Sequence, residues 1–260
     1  MNSVVIKNLV LGQGIPKICV PLTSSDRISL LSQANLLASQ PADLAEWRAD
    51  LFSSILEEGC LENVLPELRN TLPYIPLLFT FRTAKEGGSM EASPNEYADL
   101  AQKAIASGLI DLIDLELFLG EELLTPLIRL ARQNGVKIIL SNHDFSATPC
   151  QEDLVSRLRS METLGADLAK IAVMPQSPED VLTLLSATCQ AHQQLSCPII
   201  SMSMGGTGLV SRLSGEIFGS CMTFGSVGEA SAPGQIPART LKEILTLTHR
   251  TLPSPSVPSL

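Results

Sequence analysis

A single lysine interrupts an otherwise apolar run, Ala166-Asp167-Leu168-Ala169-Lys170-Ile171-Ala172-Val173-Met174-Pro175. Runs of this kind bounded by turn signals read as buried strands, and lysine is almost never fully buried without a specific reason. Desolvation favours the neutral amine, and a neutral amine condenses with ketones and aldehydes to a Schiff base. The competing reading is an ion pair with a neighbouring carboxylate. One histidine has the chemistry to act beside such an amine. His143 follows the apolar run Val136-Lys137-Ile138-Ile139-Leu140-Ser141, and an imidazole titrates close enough to neutral pH to serve as both acid and base. His192 and His249 fall on predicted helices and read as solvent-facing or capping groups.

Further polar residues end or follow other apolar runs. Glu46 and Arg48 lie two apart, as do Asp114 and Glu116, so each pair shares one face of its strand. Arg82 ends a run, with Glu86 in the segment after it. Asp114 and Glu116 read first as charges paired with one another's neighbours in a barrel interior. Gly205-Gly206-Thr207-Gly208 could cradle a phosphate or merely make a tight turn, and the nearby Arg212 would serve a carboxylate equally well.

The elements that must position these groups alternate regularly. Strand-like runs occupy residues 17–21, 43–48, 76–82, 110–116, 136–141, 168–173, 198–202 and 222–225. Between them, helical periodicity covers about 26–39, 53–70, 93–107, 120–133, 151–164, 178–193, 209–218 and 237–250. Ser93-Pro94-Asn95-Glu96 and Ser177-Pro178-Glu179-Asp180 combine a cap candidate, a first-turn proline and carboxylates, which marks helix starts. Eight strand-helix units predict an α/β (βα)8 TIM barrel in one domain spanning residues 1–260, with its site at the C-terminal ends of the strands. An open doubly wound sheet is the alternative, but no glycine-rich dinucleotide fingerprint follows the first strand. Residues 4–16, with Gly12 and Gly14, suit a short N-terminal hairpin; the Pro/Ser-rich tail, 252–260, is expected to be disordered.

Composition narrows the partners. Asp+Glu 27 against Lys+Arg 18 gives a net charge of -9, which disfavours nucleic acid and anionic membrane. The six cysteines are scattered without metal-ligand or disulfide-scaffold spacing. No apolar run is long enough to span a bilayer, and no signal-peptide pattern is visible, so a soluble cytoplasmic protein is expected.

Seven segments, in order, carry a family resemblance: Glu46-Trp47-Arg48-Ala49-Asp50, Thr80-Phe81-Arg82-Thr83-Ala84-Lys85-Glu86-Gly87-Gly88, Ser141-Asn142-His143-Asp144-Phe145, Ala169-Lys170-Ile171-Ala172, Met202-Ser203-Met204-Gly205, Ser211-Arg212, and Phe224-Gly225 with Ser231-Ala232-Pro233-Gly234-Gln235. The chain resembles the type I 3-dehydroquinate dehydratases, Schiff-base hydro-lyases of the shikimate pathway of aromatic amino acid biosynthesis. The resemblance implies conversion of 3-dehydroquinate to 3-dehydroshikimate and water, the third step of that pathway, without metal or organic cofactor, in an enzyme that is commonly a homodimer. It implies that Lys170 forms the imine, that His143 is the acid/base and that Glu86 orients His143. It also places Arg212 on the substrate carboxylate, with Glu46, Arg48, Arg82, Ser231 and Gln235 on the ring hydroxyls or carboxylate, and Met202, Met204 and Phe224 as walls. Pro21 stands where some relatives have a serine, so Thr23 is a candidate replacement contact. Residues 226–235 are a candidate lid. Two other classes stay open on the residues alone: a sugar-phosphate aldolase using the glycine cluster, and a non-catalytic barrel with Lys170 merely ion-paired.

Overall fold

Side-chain alternation along eight parallel strands divides the protein into two apolar layers around a ring of backbone. The computed structural model describes residues 3–228 and 234–253. An antiparallel hairpin of β1 (Val4–Ile6) and β2 (Leu9–Leu11) comes first, as expected, turning at Lys7 with a φ of 51°. The parallel strands are β3 (Lys17–Leu22), β4 (Leu44–Arg48), β5 (Leu77–Thr80), β6 (Leu112–Glu116), β7 (Lys137–Asp144), β8 (Leu168–Val173), β9 (Ile199–Ser203) and β10 (Met222–Phe224). Their spatial order is β10-β3-β4-β5-β6-β7-β8-β9. The ring closes between β9 and β10, where Cys221 N donates to Ile199 O at 2.8 Å and Ser201 N donates to the Ser220 hydroxyl at 3.0 Å. A side chain thus supplies part of the last ladder.

Residues of one parity, among them Val20, Ala45, Trp47, Phe79, Ile113, Leu140, Ala169, Ile171 and Val173, face the helices and form the main core. Residues of the other parity, including Leu44, Leu78, Leu112, Ile139, Leu168 and Ile200, fill the lower barrel, and Val4, Ile6 and Leu11 of the hairpin plug its bottom. The parity of Leu44, Leu112 and Leu168 is also that of Glu46, Asp114, Glu116 and Lys170. The polar groups therefore point inward, one layer above the apolar filling.

The helices are α1 (Arg27–Ala38), α2 (Cys60–Thr71), α3 (Pro94–Ala106), α4 (Glu121–Gln133), α5 (Gln151–Leu164), α6 (Pro178–Gln194), α7 (Leu209–Leu213), α8 (Gly215–Phe218) and α9 (Ala238–Thr251). Both helix starts read from sequence are capping boxes, Ser93 with Glu96 and Ser177 with Asp180, each with proline in the first turn. Two expectations need correction. The helix expected from residue 53 starts only at Cys60, because Gly59 holds a φ of 77° that ends the irregular approach to it. The helix expected over 209–218 is broken at Ser214 into α7 and α8; a Cβ on Gly215 would stand 2.7 Å from Ser220 O, so the chain is pressed against the closing seam there. The expectation of disorder for the tail concerns residues that, from 254 onward, lie outside those described.

Candidate active site

The inward polar layer opens into a cavity at the C-terminal ends of the strands. Lys170, His143, Glu86, Glu46, Arg48, Arg82, Met202, Met204, Arg212, Phe224 and Gln235 all line it. Ser231, and with it residues 229–233 of the candidate lid, lies outside the described residues. Register explains the convergence of the first two: Ser141 of β7 pairs with Lys170 of β8, and His143 with Ala172, so the imidazole stands one inward step above the amine on the adjacent strand.

Lys170 is 4% exposed. Its Nζ donates to Asp114 Oδ2 at 2.9 Å, lies 3.8 Å from Glu46 Oε1 and sits 4.9 Å from the centre of the Phe224 ring. The carboxylate pairing left open as the competing reading of this lysine is therefore present. The strand is apolar on its outer face, but on its inner face the amine meets two carboxylates, so cavity lining and ion pairing coexist at one residue. Glu46 is itself held by Thr80 Oγ1, which donates at 2.9 Å.

Asp114 joins the amine to a wider network. Arg82 Nη2 donates to Asp114 Oδ1 at 2.7 Å and Arg82 Nη1 to Glu116 Oε1 at 2.9 Å, while Ser141 Oγ donates to Asp114 Oδ1 at 2.5 Å. Glu116 also accepts from Thr83 N and Thr83 Oγ1. The structural pairing read for Asp114 and Glu116 is therefore present, but Asp114 in addition touches the candidate nucleophile. Burial works against ionisation of Asp114; Arg82 first and Lys170 second outweigh it and hold the carboxyl well below its usual range.

A second centre is built around His143. Glu86 Oε2 accepts from His143 N at 2.9 Å and stands 3.1 Å from His143 Nδ1. An ionised Glu86 therefore selects the tautomer with a proton on Nδ1 and leaves Nε2 as a base. Burial lowers the imidazole well below its ordinary value, and Arg82 and Lys170 add to that; burial also pushes Glu86 up to about 7, against the pull of Arg82. The two shifts keep the imidazole neutral and make the carboxyl the group that titrates near neutrality.

Two arginines face the same space with different support. Arg48 is locked by a two-pronged pair with the fully buried Asp50, Nε to Oδ1 and Nη2 to Oδ2, both at 2.8 Å. Arg212 comes from α7, is 2% exposed, and has Nη1 3.9 Å from Met202 Sδ; burial draws its pKa down to about 10. A buried guanidinium of this kind favours a carboxylate-bearing ligand. Sequence reasoning gave no role to Asp50, Thr80 or Phe145, although each falls within a quoted segment; alternation does not report a group that acts by holding another. Pro21 lines the cavity, whereas Thr23 is tied to Gln33, with Thr23 N donating to Gln33 Oε1 at 2.8 Å. The glycine cluster makes a tight turn: a Cβ on Gly208 would lie 2.1 Å from Ser203 O. Among the described residues no group of three or more His, Cys, Asp or Glu side chains could hold a metal ion, and no helix is long and apolar enough to cross a membrane.

Residues 18–251 match the type I 3-dehydroquinase family. The chain belongs to that family. It is 50% identical over 250 residues to the 3-dehydroquinate dehydratase of Listeria monocytogenes serotype 4b, covering 96% of this chain and 99% of that protein. Among solved structures it is similar to the type I 3-dehydroquinate dehydratase of Clostridium difficile, determined with covalently modified comenic acid, at 46% identity and a TM-score of 0.94 over 96% of this chain and 99% of that one. The 3-dehydroquinate dehydratase of Geobacillus kaustophilus is similar at 38% identity and a TM-score of 0.94, over 97% and 98% of the two chains. The enzyme is thus a hydro-lyase with 3-dehydroquinate dehydratase activity, and the aldolase and non-catalytic readings fall away.

Proposed function

We propose that this enzyme dehydrates 3-dehydroquinate through an imine on Lys170, with His143 as the acid/base, as the third step of the shikimate pathway. The observation that carries the reading is one cavity lined by a buried amine, a carboxylate-oriented imidazole and a buried arginine. Lys170 Nζ adds to the C3 ketone and water leaves, giving a protonated imine that draws electrons from the neighbouring carbon. His143 Nε2 then takes the C2 proton, and the electron pair flows into an enamine. The enamine expels the C1 hydroxyl, which leaves as water with the proton returned by His143. Hydrolysis of the remaining imine consumes one water, frees 3-dehydroshikimate and restores the amine, so the net products are 3-dehydroshikimate and one water.

Arg212 clamps the substrate carboxylate in this scheme, Glu46, Arg48, Arg82, Ser231 and Gln235 hold ring oxygens or the carboxylate, and Met202, Met204 and Phe224 are walls. The scheme uses no metal or organic cofactor. The covalently modified ligand in the Clostridium difficile relative favours nucleophilic chemistry of this type. The same proposal takes the chain as one catalytic domain, acting in the cytoplasm as a homodimer, which sedimentation at enzyme concentrations tests.

Borohydride added with substrate is expected to leave a reduced adduct on Lys170, found by peptide mass spectrometry. Lys170→Ala should form no adduct, and His143→Ala should still form one while losing turnover. An adduct on another residue, or an adduct in Lys170→Ala, would overturn the mechanism.

A further inference from the structure

The Asn142 side chain stands between two groups of opposite hydrogen-bonding character. Arg157, half-buried on α5, donates from Nη1 to Asn142 Oδ1 at 2.7 Å. On the other side Asn142 Nδ2 donates to Glu86 Oε1 at 3.2 Å. A guanidinium has donors only, so its sole acceptable neighbour on a primary amide is the oxygen. The nitrogen is thereby turned toward Glu86. Glu86 then has a donor on Oε1 and keeps Oε2 for His143 N and Nδ1.

We propose that Arg157 is a positioning residue for the acid/base pair: by fixing the sense of the Asn142 amide it keeps an N–H on Glu86, and so keeps Glu86 an acceptor for His143 Nδ1–H. The inference rests on the reading of His143 as the base and deepens it. With the amide reversed, its oxygen would face the carboxylate, and two acceptors at hydrogen-bond distance are tolerated only if Glu86 takes a proton. A protonated Glu86 is a poorer acceptor for Nδ1–H, and the tautomer that exposes a basic Nε2 loses its support.

Arg157 is held for this task from outside the barrel. Its guanidinium carbon lies 5.5 Å from the centre of the Phe118 ring, which is 66% exposed and sits on the 3-10 turn Leu117–Leu119 after β6. An aromatic face over the cation restricts where the guanidinium can go and accounts for a large apolar side chain left at the surface. The other charged groups facing Glu86 are Arg82, with Nη1 3.6 Å from Oε2, Glu116 and His143 itself. None of them contacts Arg157 in this arrangement, so a substitution at Arg157 leaves them in place. The Asn142 hydrogen bond lowers the Glu86 pKa, which gives the sign of the effect: losing it moves Glu86 ionisation to higher pH.

Arg157→Met keeps the aliphatic stem and removes the donors; Arg157→Lys keeps a charge and a donor. Steady-state kinetics across pH on both, with borohydride trapping at Lys170, tests the proposal. In Arg157→Met kcat should fall about tenfold, the lower end of the cost of losing an outer partner of a functional group, with KM unchanged, trapping retained and the acid limb of kcat moved to higher pH. Arg157→Lys should restore most of kcat and the position of the limb. Phe118→Ala, which leaves the donors but frees the side chain, should move the limb in the same direction by less, and it carries the test if Arg157→Met fails to fold. An unmoved acid limb in these variants, or a rise in KM at constant kcat, overturns the positioning role. His143→Ala run alongside separates the two readings: retained turnover there overturns the base assignment, whereas an inactive His143→Ala with an unmoved limb in Arg157→Met overturns the positioning role alone.

Discussion

Asp114 is the residue whose role the geometry changes most. Its Oδ2 lies 2.9 Å from Lys170 Nζ, so in the proposed mechanism the carboxylate faces the nitrogen that bears positive charge in the protonated imine. A fixed anion beside a charge that develops during reaction stabilises it at no cost of reorganisation. Asp114→Asn keeps the shape and removes the charge. Turnover should fall about 100-fold, the size of effect seen when one preorganised electrostatic partner is removed, and borohydride trapping on Lys170 should slow in parallel. Trapping at the wild-type rate, with only stability reduced, would leave Asp114 a structural partner of Arg82. Glu86 offers a pH test at the same scale. Its carboxyl, pushed up to about 7 by burial, must be ionised to hold His143 Nδ1–H, so kcat should fall as pH drops below about 7. In Glu86→Gln that limb should vanish from a slower enzyme; an unchanged limb would assign the titration to another group.

At the scale of elements, the turn that follows β9 shows why glycine there is structural. A Cβ on Gly208 would lie 2.1 Å from Ser203 O, whereas one on Gly206 would meet nothing within 4 Å. Gly208→Ala should therefore cost about 3 kcal/mol, at the upper end for forced overpacking, and should lower turnover by shifting Arg212 on α7. Gly206→Ala should stay within about 0.5 kcal/mol of the parent protein. Urea midpoints for the two variants check this, and equal losses would mean that the loop is set by something other than the Ser203 contact. The same turn marks the limit of what the sequence discloses. Alternation places Glu46, Asp114 and Lys170 on inner faces, because a period of two leaves no freedom once Leu44, Leu112 and Leu168 fill the interior. His143 is legible as the histidine just beyond the apolar run 136–141; that β7 continues to Asp144 and carries it on the strand above Ser141 is not. Arg157 is not legible: it acts through Asn142, and no local pattern in α5 reports a bond made to another element. The break at Ser214 is hidden for the same reason, being imposed by the seam and not by helix propensity.

For the whole molecule, the pair of buried Glu86 and part-buried His143 makes opposite contributions to stability where their titration ranges overlap. Glu86 is raised from 4.5 to about 7, so its contribution is full below about 4.5 and is lost as pH rises through about 7. His143 is lowered well below 6.5, so the folded protein favours the neutral ring; that contribution is present above 6.5 and is lost as pH falls toward the folded value. Below about pH 6.5, where the two ranges overlap, the two offset one another, and the unfolding free energy owes less net slope to this pair than to either group alone. Removing either partner exposes the other. His143→Ala should lose stability as pH rises from about 4.5 to 7, by up to about 3 kcal/mol at about 1.4 kcal/mol per pH unit. Glu86→Gln should instead gain stability with pH up to about 6.5, because desolvation, Arg82 and Lys170 still disfavour the imidazolium. Asp114, held below its usual range, adds a loss common to all three proteins only as pH falls below about 4. Chemical denaturation at a series of pH values reads the three slopes directly. Opposite slopes for the two variants, with a flatter parent between them, are the expected result; parallel curves would mean that the pair does not divide its proton as the geometry requires.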